Sequence, residues 1–387
     1  MPFPPLARVT RVEFENFKAF EKYSLSLEQV NIVVGPNNAG KSTVLSAFRA
    51  LDAALRATRS NAPSRISFDG VTTVGYRIPE NSLPIALENV HTNYWSKASK
   101  ITFTLNNRGK LELIFPADGG CVLTPALDGH VVTTAAEFKR RFPLSLTVVP
   151  VLGPVEHNEI RREKATVISG LGTHRASHHF RNYWHYFPDG FAEFAKLIRT
   201  TWPGMEVLPP EIDSGSGQLQ MFCQEDRLTR ELFWVGFGFQ IWCQLLTHLS
   251  RSKASSLVIV DEPETYLHPD VQRQMLGIVR DLDCDILLAT HSSEIMSDAD
   301  PTEIIVIDKR RQAGDRLRDV GGVQRALDAI GSAQNITLTS LARSRRVLFV
   351  EGVDDFRLLR RFARRLGLQE LASGAGIVPL PSGGFGS

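Results

Sequence analysis

Apolar and polar positions alternate over residues 8–14, where Val9, Val12 and Phe14 stand among Arg and Glu, as in a strand with one buried face. A turn follows at Asn16-Phe17-Lys18-Ala19-Phe20. Residues 24–34 then give one or two further strands, the last an apolar run over 30–34, and residues 43–55 read as a helix. Short β-like runs at 101–105 and 111–115, separated by turns such as Asn106-Asn107-Arg108-Gly109, make 61–147 a mostly β region. Residues 148–153 form another buried strand, closed by Gly153-Pro154. Helical spacing returns through Phe191, Phe194, Ala195 and Ile198. The longest apolar run, 232–246, is interrupted by Gln240 and Gln244 and is too short to span a bilayer, so it reads as a buried strand, turn and helix. Two more apolar runs have the unbroken character of central parallel strands. One, 257–260, ends in Asp261-Glu262, and the other, 284–289, ends in Thr290-His291-Ser292. A final run at 347–350 precedes a helix that stops at Gly367, with Phe356, Leu359, Phe362 and Leu366 on one face and Arg357, Arg360, Arg361, Arg364 and Arg365 on the other. No heptad pattern or fixed-period repeat is present, which excludes long coiled-coil arms.

Composition narrows the class. The 387 residues allow one large or two ordinary domains, and 43% hydrophobic with 22% charged residues is the balance of a soluble globular protein. Residues 1–6 are proline-rich and strand-like alternation follows at once, so no signal peptide is read and a cytoplasmic location without membrane contact is expected. Cys121, Cys223, Cys243 and Cys284 lack C-x-x-C spacing and are expected to be reduced and buried. Residues 301–387 carry a net charge of +5, which leaves −3 on the first 300 within a total of +2. The basic end, with its arginine ridge, is where DNA would dock. His174, His178, His179 and His185 have no Cys or acidic cluster beside them, and a surface loop is expected there rather than a metal site.

The chemistry begins at Gly35-Pro36-Asn37-Asn38-Ala39-Gly40-Lys41-Ser42-Thr43, which fits G-x-x-x-x-G-K-[ST] between a strand and a helix. A triphosphate must be held close to backbone amides, so the loop needs glycines. The following helix aims unpaired N–H groups and its positive end at the same anion. Lys41 is expected to reach the β and γ phosphates of ATP and Ser42 to ligate Mg²⁺. Asp261 would hold that ion through water, and Glu262, just beyond it, would polarise the attacking water. His291, at the same sheet edge, would sense the γ phosphate.

This order of motifs resembles the ABC-type ATPase head of the recombination, SMC and overcoming-lysogenization-defect (OLD) families, over residues 9–308. Asn16-Phe17-Lys18-Ala19-Phe20 resembles the opening of those heads. Asp261-Glu262-Pro263-Glu264-Thr265-Tyr266-Leu267-His268-Pro269 is similar to the OLD branch in particular. The resemblance implies an α/β fold: a mixed central sheet flanked by helices, a β-rich N-terminal part and an inserted middle region at about 61–230, all within 1–309. It also implies head-to-tail pairing, in which a signature helix of one copy closes the nucleotide of the other. The matching place is Val235-Gly236-Phe237-Gly238-Phe239-Gln240, so Gly236, Gly238 and Gln240 would touch the partner's nucleotide. The serine of the strict signature is missing. Residues 151–158, where the Q-loop glutamine of such heads belongs, contain no glutamine.

After a linker at 310–344, Glu351-Gly352-Val353-Asp354-Asp355 between a strand and a helix resembles the start of a Toprim domain, the nuclease module of OLD proteins. The resemblance assigns Glu351 and Asp355 to divalent metal, Mg²⁺ or Mn²⁺. The later Asp-x-Asp strand of such a domain is missing before Ser387, so the 345–387 segment is a partial α/β Toprim-like unit. Either the chain is a fragment of a longer nuclease or it is a curtailed protein. The function implied is the ATPase head of an OLD-like DNA endonuclease, a homodimer or higher homo-oligomer, in phage defence or DNA processing. Two alternatives are a RecF-like clamp that binds DNA without cutting it, and an ATPase scaffold for a separate effector protein.

Overall fold

The computed structural model describes residues 6–59, 61–127, 130, 132–330, 347–351, 353–368 and 377–381. β1 (Val9–Phe17) and β2 (Phe20–Ser26) form a hairpin in which Phe14 faces Tyr23. β3 (Val30–Val34) leads into α1 (Lys41–Thr58). Next come β4 (Ser64–Phe68), β5 (Val71–Ile78), β6 (Ser99–Leu105), β7 (Lys110–Phe115) and β8 (Cys121–Ala126). They join the N-terminal hairpin in one seven-stranded antiparallel sheet, β2-β1-β6-β7-β8-β5-β4, in which Phe14 is also opposite Ile101. β1 has two hydrogen-bonding edges; β2 pairs with one and β6 with the other.

α2 (Ala135–Arg141) and β9 (Leu146–Val149) precede a helical lobe of α3 (Lys164–Gly170), α4 (Phe180–Tyr186) and α5 (Phe191–Thr201). Short strands follow: β10 (Met205–Val207), β11 (Glu211–Ile212), β12 (Leu219–Gln220), β13 (Phe222–Glu225) and β14 (Leu228–Glu231). The run read as strand, turn and helix starts instead with a single 3₁₀ turn, Leu232–Trp234, before α6 (Phe237–Arg251). A short apolar run suits either geometry, and Glu231, whose carboxylate accepts from the Phe233 N–H, caps the turn. β15 (Leu257–Asp261), α7 (Pro269–Arg280), β16 (Asp285–Ala289), α8 (Ser293–Asp298), β17 (Ile304–Val306), β18 (Asp315–Arg316) and α9 (Val320–Ala329) complete the head.

The second sheet has the order β18-β17-β3-β16-β15-β9, parallel except for β18. Both its faces are covered. Leu257 and Ile259 of β15 join one core with α1 and the antiparallel sheet, where Phe48 meets Phe103 edge-on at 5.3 Å. Val258 and Val260 join the other core with Trp242 and Leu245 of α6 and Met275 of α7. That two-sided burial is why the strand reads as an unbroken apolar run. α9 lies in the stretch read as a linker, yet Val323, Ala326 and Leu327 are buried in the second core.

β19 (Val347–Val350) and β20 (Val378–Pro381) pair in parallel, with α10 (Val353–Arg365) between them in sequence. Of the apolar face expected on α10, Phe356 is buried while Leu359, Phe362 and Leu366 are exposed. Arg360 of the basic ridge reaches back to Asp300 of the head at 3.3 Å. All four cysteines are buried free thiols. Among the described residues no helix is long and apolar enough to cross a membrane.

Candidate nucleotide site

The phosphate loop is shaped by close approach. Gly35 has φ +154°, and a Cβ there would lie 2.6 Å from the Ile307 carbonyl oxygen. At Gly40, φ +114°, a Cβ would lie 2.5 Å from the Phe20 ring. No side chain caps α1, whose N-cap is Gly40, so its first N–H groups face the loop without a side-chain acceptor. The Lys41 ammonium folds back onto the carbonyls of Gly35 at 2.7 Å and Pro36 at 3.2 Å. Burial lowers its pKa, while Glu262, Glu264 and Asp261 push the other way. A cleft of about 190 Å³ opens above it, lined by residues 37–43, Ala19, Asp261, Glu262, Ala289 and His291.

Parallel register sets Asp261 opposite Ala289, so β15 and β16 deliver their C-terminal residues to the same edge. Glu262 turns there with φ +44°, its N–H donating to the Ala289 carbonyl at 2.9 Å. The Glu262 carboxylate stands 3.8 Å from His291 Nε2. The structure therefore brings Lys41, Ser42, Asp261, Glu262 and His291 to one cleft. Two neighbours of this group have no role assigned from the sequence, although Glu264 lies within the motif of residues 261–269. Arg49, on α1, pairs with Asp261 at 2.5 Å. Glu264 accepts the His291 backbone N–H at 2.7 Å, and burial raises its pKa. Arg49 follows Ser42 by seven residues, close to two helical turns, and that spacing is the one sequence clue to its place.

The glycine-rich segment lies elsewhere. Gly236 is the N-cap of α6, and a Cβ on Gly238 would lie 3.0 Å from the Tyr266 carbonyl oxygen. Neither glycine, nor Gln240, lines the cleft. Gln240 is fully buried and its amide is used within the chain: the Val155 N–H donates to its Oε1 at 3.0 Å, and its Nε2 donates to the carbonyls of Phe233 at 2.9 Å and Val235 at 2.7 Å. Gln244 Nε2 donates to the Gly153 carbonyl at 2.8 Å. The loop that lacks a glutamine of its own is thus gripped by two from α6.

A family described as an AAA domain, putative AbiEii toxin of a type IV TA system, matches residues 30–297, which take in the phosphate loop, Asp261-Glu262 and His291. The chain belongs to this AAA-domain family. It is an ATPase. The Old nuclease of Escherichia phage P2 is 21% identical over 427 residues, covering 94% of this chain and 71% of that protein. Among solved structures, the Smc head domain of Pyrococcus furiosus superposes with a TM-score of 0.52 at 11% identity, over 84% of this chain and 100% of that one. The Smc head of Pyrococcus yayanosii gives 0.51 at 10%, over 84% and 99%. At such identities the likeness is one of fold, the ABC-type ATPase head.

Glu351 directly follows β19 and Asp355 lies on α10, both exposed and neither at the cleft. Among the described residues no group of three or more His, Cys, Asp or Glu side chains is arranged to hold a metal. His179, expected on a surface loop, is buried against Gly170, while His178 sits 3.2 Å from Glu156.

Proposed function

We propose that this chain is the ATP-hydrolysing head of an OLD-like DNA enzyme, which pairs with a second copy so that nucleotide governs DNA binding or cleavage. The carrying observation is the convergence of Lys41, Ser42, Asp261, Glu262 and His291 on one cleft lined by residues 37–43. Loop amides from Gly35 to Thr43 and the Lys41 ammonium bind the phosphates. The Ser42 hydroxyl and Asp261 carboxylate are hard oxygen donors that fit Mg²⁺, which supplies charge neutralisation at the β and γ oxygens. Glu262 takes the proton of the attacking water, and His291, beside it, holds the γ phosphate.

Gly236 and Gly238 begin a helix whose N-terminus has no side-chain cap, a suitable face for the nucleotide of a second copy. Gln240 has no part in that contact. We assign residues 1–309 to the head and 345–387 to a Toprim-like unit, with Glu351 and Asp355 as the metal-binding pair for Mg²⁺ or Mn²⁺, in cytoplasmic phage defence or DNA processing. One observation favours the rival clamp that binds DNA without cutting: among the described residues no three acids, His or Cys gather in that unit to hold a metal pair.

The test is ATP hydrolysis together with plasmid nicking. Loss of ATP turnover in Lys41→Ala and Glu262→Gln supports the head, and unchanged turnover overturns it. Nicking that Glu351→Ala removes supports the nuclease, and ATP-dependent DNA retention without nicking supports the clamp.

A further inference from the structure

We propose that Arg49 is a positioning residue for Asp261: it holds one oxygen of that carboxylate, discourages a divalent cation from entering before the nucleotide, and leaves the other oxygen for the cation that arrives with the phosphates. This rests on the reading of the cleft given above.

The geometry is direct. Arg49 Nη2 lies 2.5 Å from Asp261 Oδ2, with 25% and 17% of the two side chains exposed. Asp261 lines the cleft and Arg49 does not, so the guanidinium approaches the carboxylate from behind. A guanidinium N–H points in a fixed direction within its plane, so it holds the one Asp261 oxygen in place more firmly than a freely rotating ammonium does. Fastening α1 to the sheet is not what the pair is needed for, because Val44, Phe48 and Leu51 are already fully buried in the core that Ile259 shares.

Charge gives the second half of the argument. Before nucleotide binds, Arg49 already offsets the Asp261 charge, and Lys41 lies among Glu262, Glu264 and Asp261. A hard dication entering alone meets two fixed cations and one carboxylate already occupied. Triphosphate brings the missing negative charge, and Asp261 then needs only the oxygen Arg49 does not hold. Removing the Arg49 charge should therefore strengthen cation binding to the nucleotide-free protein while weakening catalysis. A residue that only supported the fold would weaken both.

The experiment uses the full chain, with Mn²⁺ as the probe followed by electron paramagnetic resonance, without nucleotide and with ADP. Arg49→Gln should bind Mn²⁺ without nucleotide about tenfold more tightly than the unaltered chain, and its kcat for ATP should fall about tenfold. Its KM for ATP should stay within about threefold. Arg49→Lys should keep the weak nucleotide-free Mn²⁺ binding, because the charge remains, yet lose kcat, because the planar grip is gone. If Arg49→Gln does not fold, Arg49→Lys decides alone. Equal Mn²⁺ affinity in Arg49→Gln and the unaltered chain, or full kcat in Arg49→Lys, overturns the proposal and leaves the reading of the cleft standing. No Mn²⁺ binding with ADP in the unaltered chain overturns both.

Discussion

Glu264 accepts the backbone N–H of His291 at 2.7 Å through one carboxylate oxygen, while its other oxygen is buried with no partner. Burial raises the pKa of this carboxyl above its ordinary 4.5. A carboxyl raised in this way binds its proton more tightly in the folded chain. Its stability contribution is fully present below pH 4.5 and is lost as pH rises through the folded value. Glu264→Gln keeps the acceptor for His291 and removes the buried charge. It should raise the melting temperature at pH 8 by about 2 °C, with the gap closing toward pH 4.5. Melting curves across that range check it, and a gap that does not depend on pH would sink the assignment.

Lys41 and Glu262 occupy the same cleft and should fail differently. Lys41→Ala removes the ammonium that would meet the phosphates and so should weaken nucleotide binding by about tenfold or more. Glu262→Gln leaves the binding surface nearly unchanged and removes the base, so nucleotide should still bind while phosphate release slows by about a hundredfold. Fluorescent-nucleotide titration alongside a phosphate-release assay separates the two. Equal binding losses in both variants would contradict the division of roles.

Replacing Gln240 with Leu preserves volume but strands the Val155 N–H and the carbonyls of Phe233 and Val235. Two or three unpaired buried groups should cost about 2–4 kcal/mol in global stability. Residues 151–158 should also exchange amide hydrogens faster, which mass spectrometry reads directly. Unchanged exchange over that loop would show that Gln244 holds it without help.

The phosphate loop was legible in the sequence because its requirements are local: glycines, one lysine, a strand before and a helix after. β15 and β16 were legible because a strand buried on both faces must be apolar throughout. The pairing of β1 with β6 was not, since nothing in either strand names a partner more than 80 residues away. The joining of the strands of 61–147 to the N-terminal hairpin is therefore visible only in the sheet. Gln240 shows the complementary limit: a motif gives the residue type, but where its amide points depends on Val155, 85 positions distant. Arg49 meets Asp261 across 212 positions.

His248 sits on α6 with 2% of its surface exposed, and Arg251 Nη1 lies 3.2 Å from its Nδ1. Burial, helped by the Arg251 charge, pushes its pKa down from 6.5 to about 3. The unfolded chain therefore takes up a proton near pH 6.5 that the folded chain refuses, so stability is complete above that pH and declines as pH falls toward 3. Between pH 6.5 and 5 this one side chain should remove about 2 kcal/mol. His248→Gln has no proton to take up, and its urea midpoint should fall less over that interval than that of the unaltered chain. The consequence extends to the proposed contact with a second copy, because the same helix carries Gly236 at its start and, through Gln240 and Gln244, grips residues 153–155. Acid that loosens α6 should release that grip, so ATP turnover should decline with the same pH profile as stability and should decline less in His248→Gln. Parallel urea and turnover profiles for the two proteins decide the matter: identical acid limbs would mean that His248 already carries its proton in the folded chain.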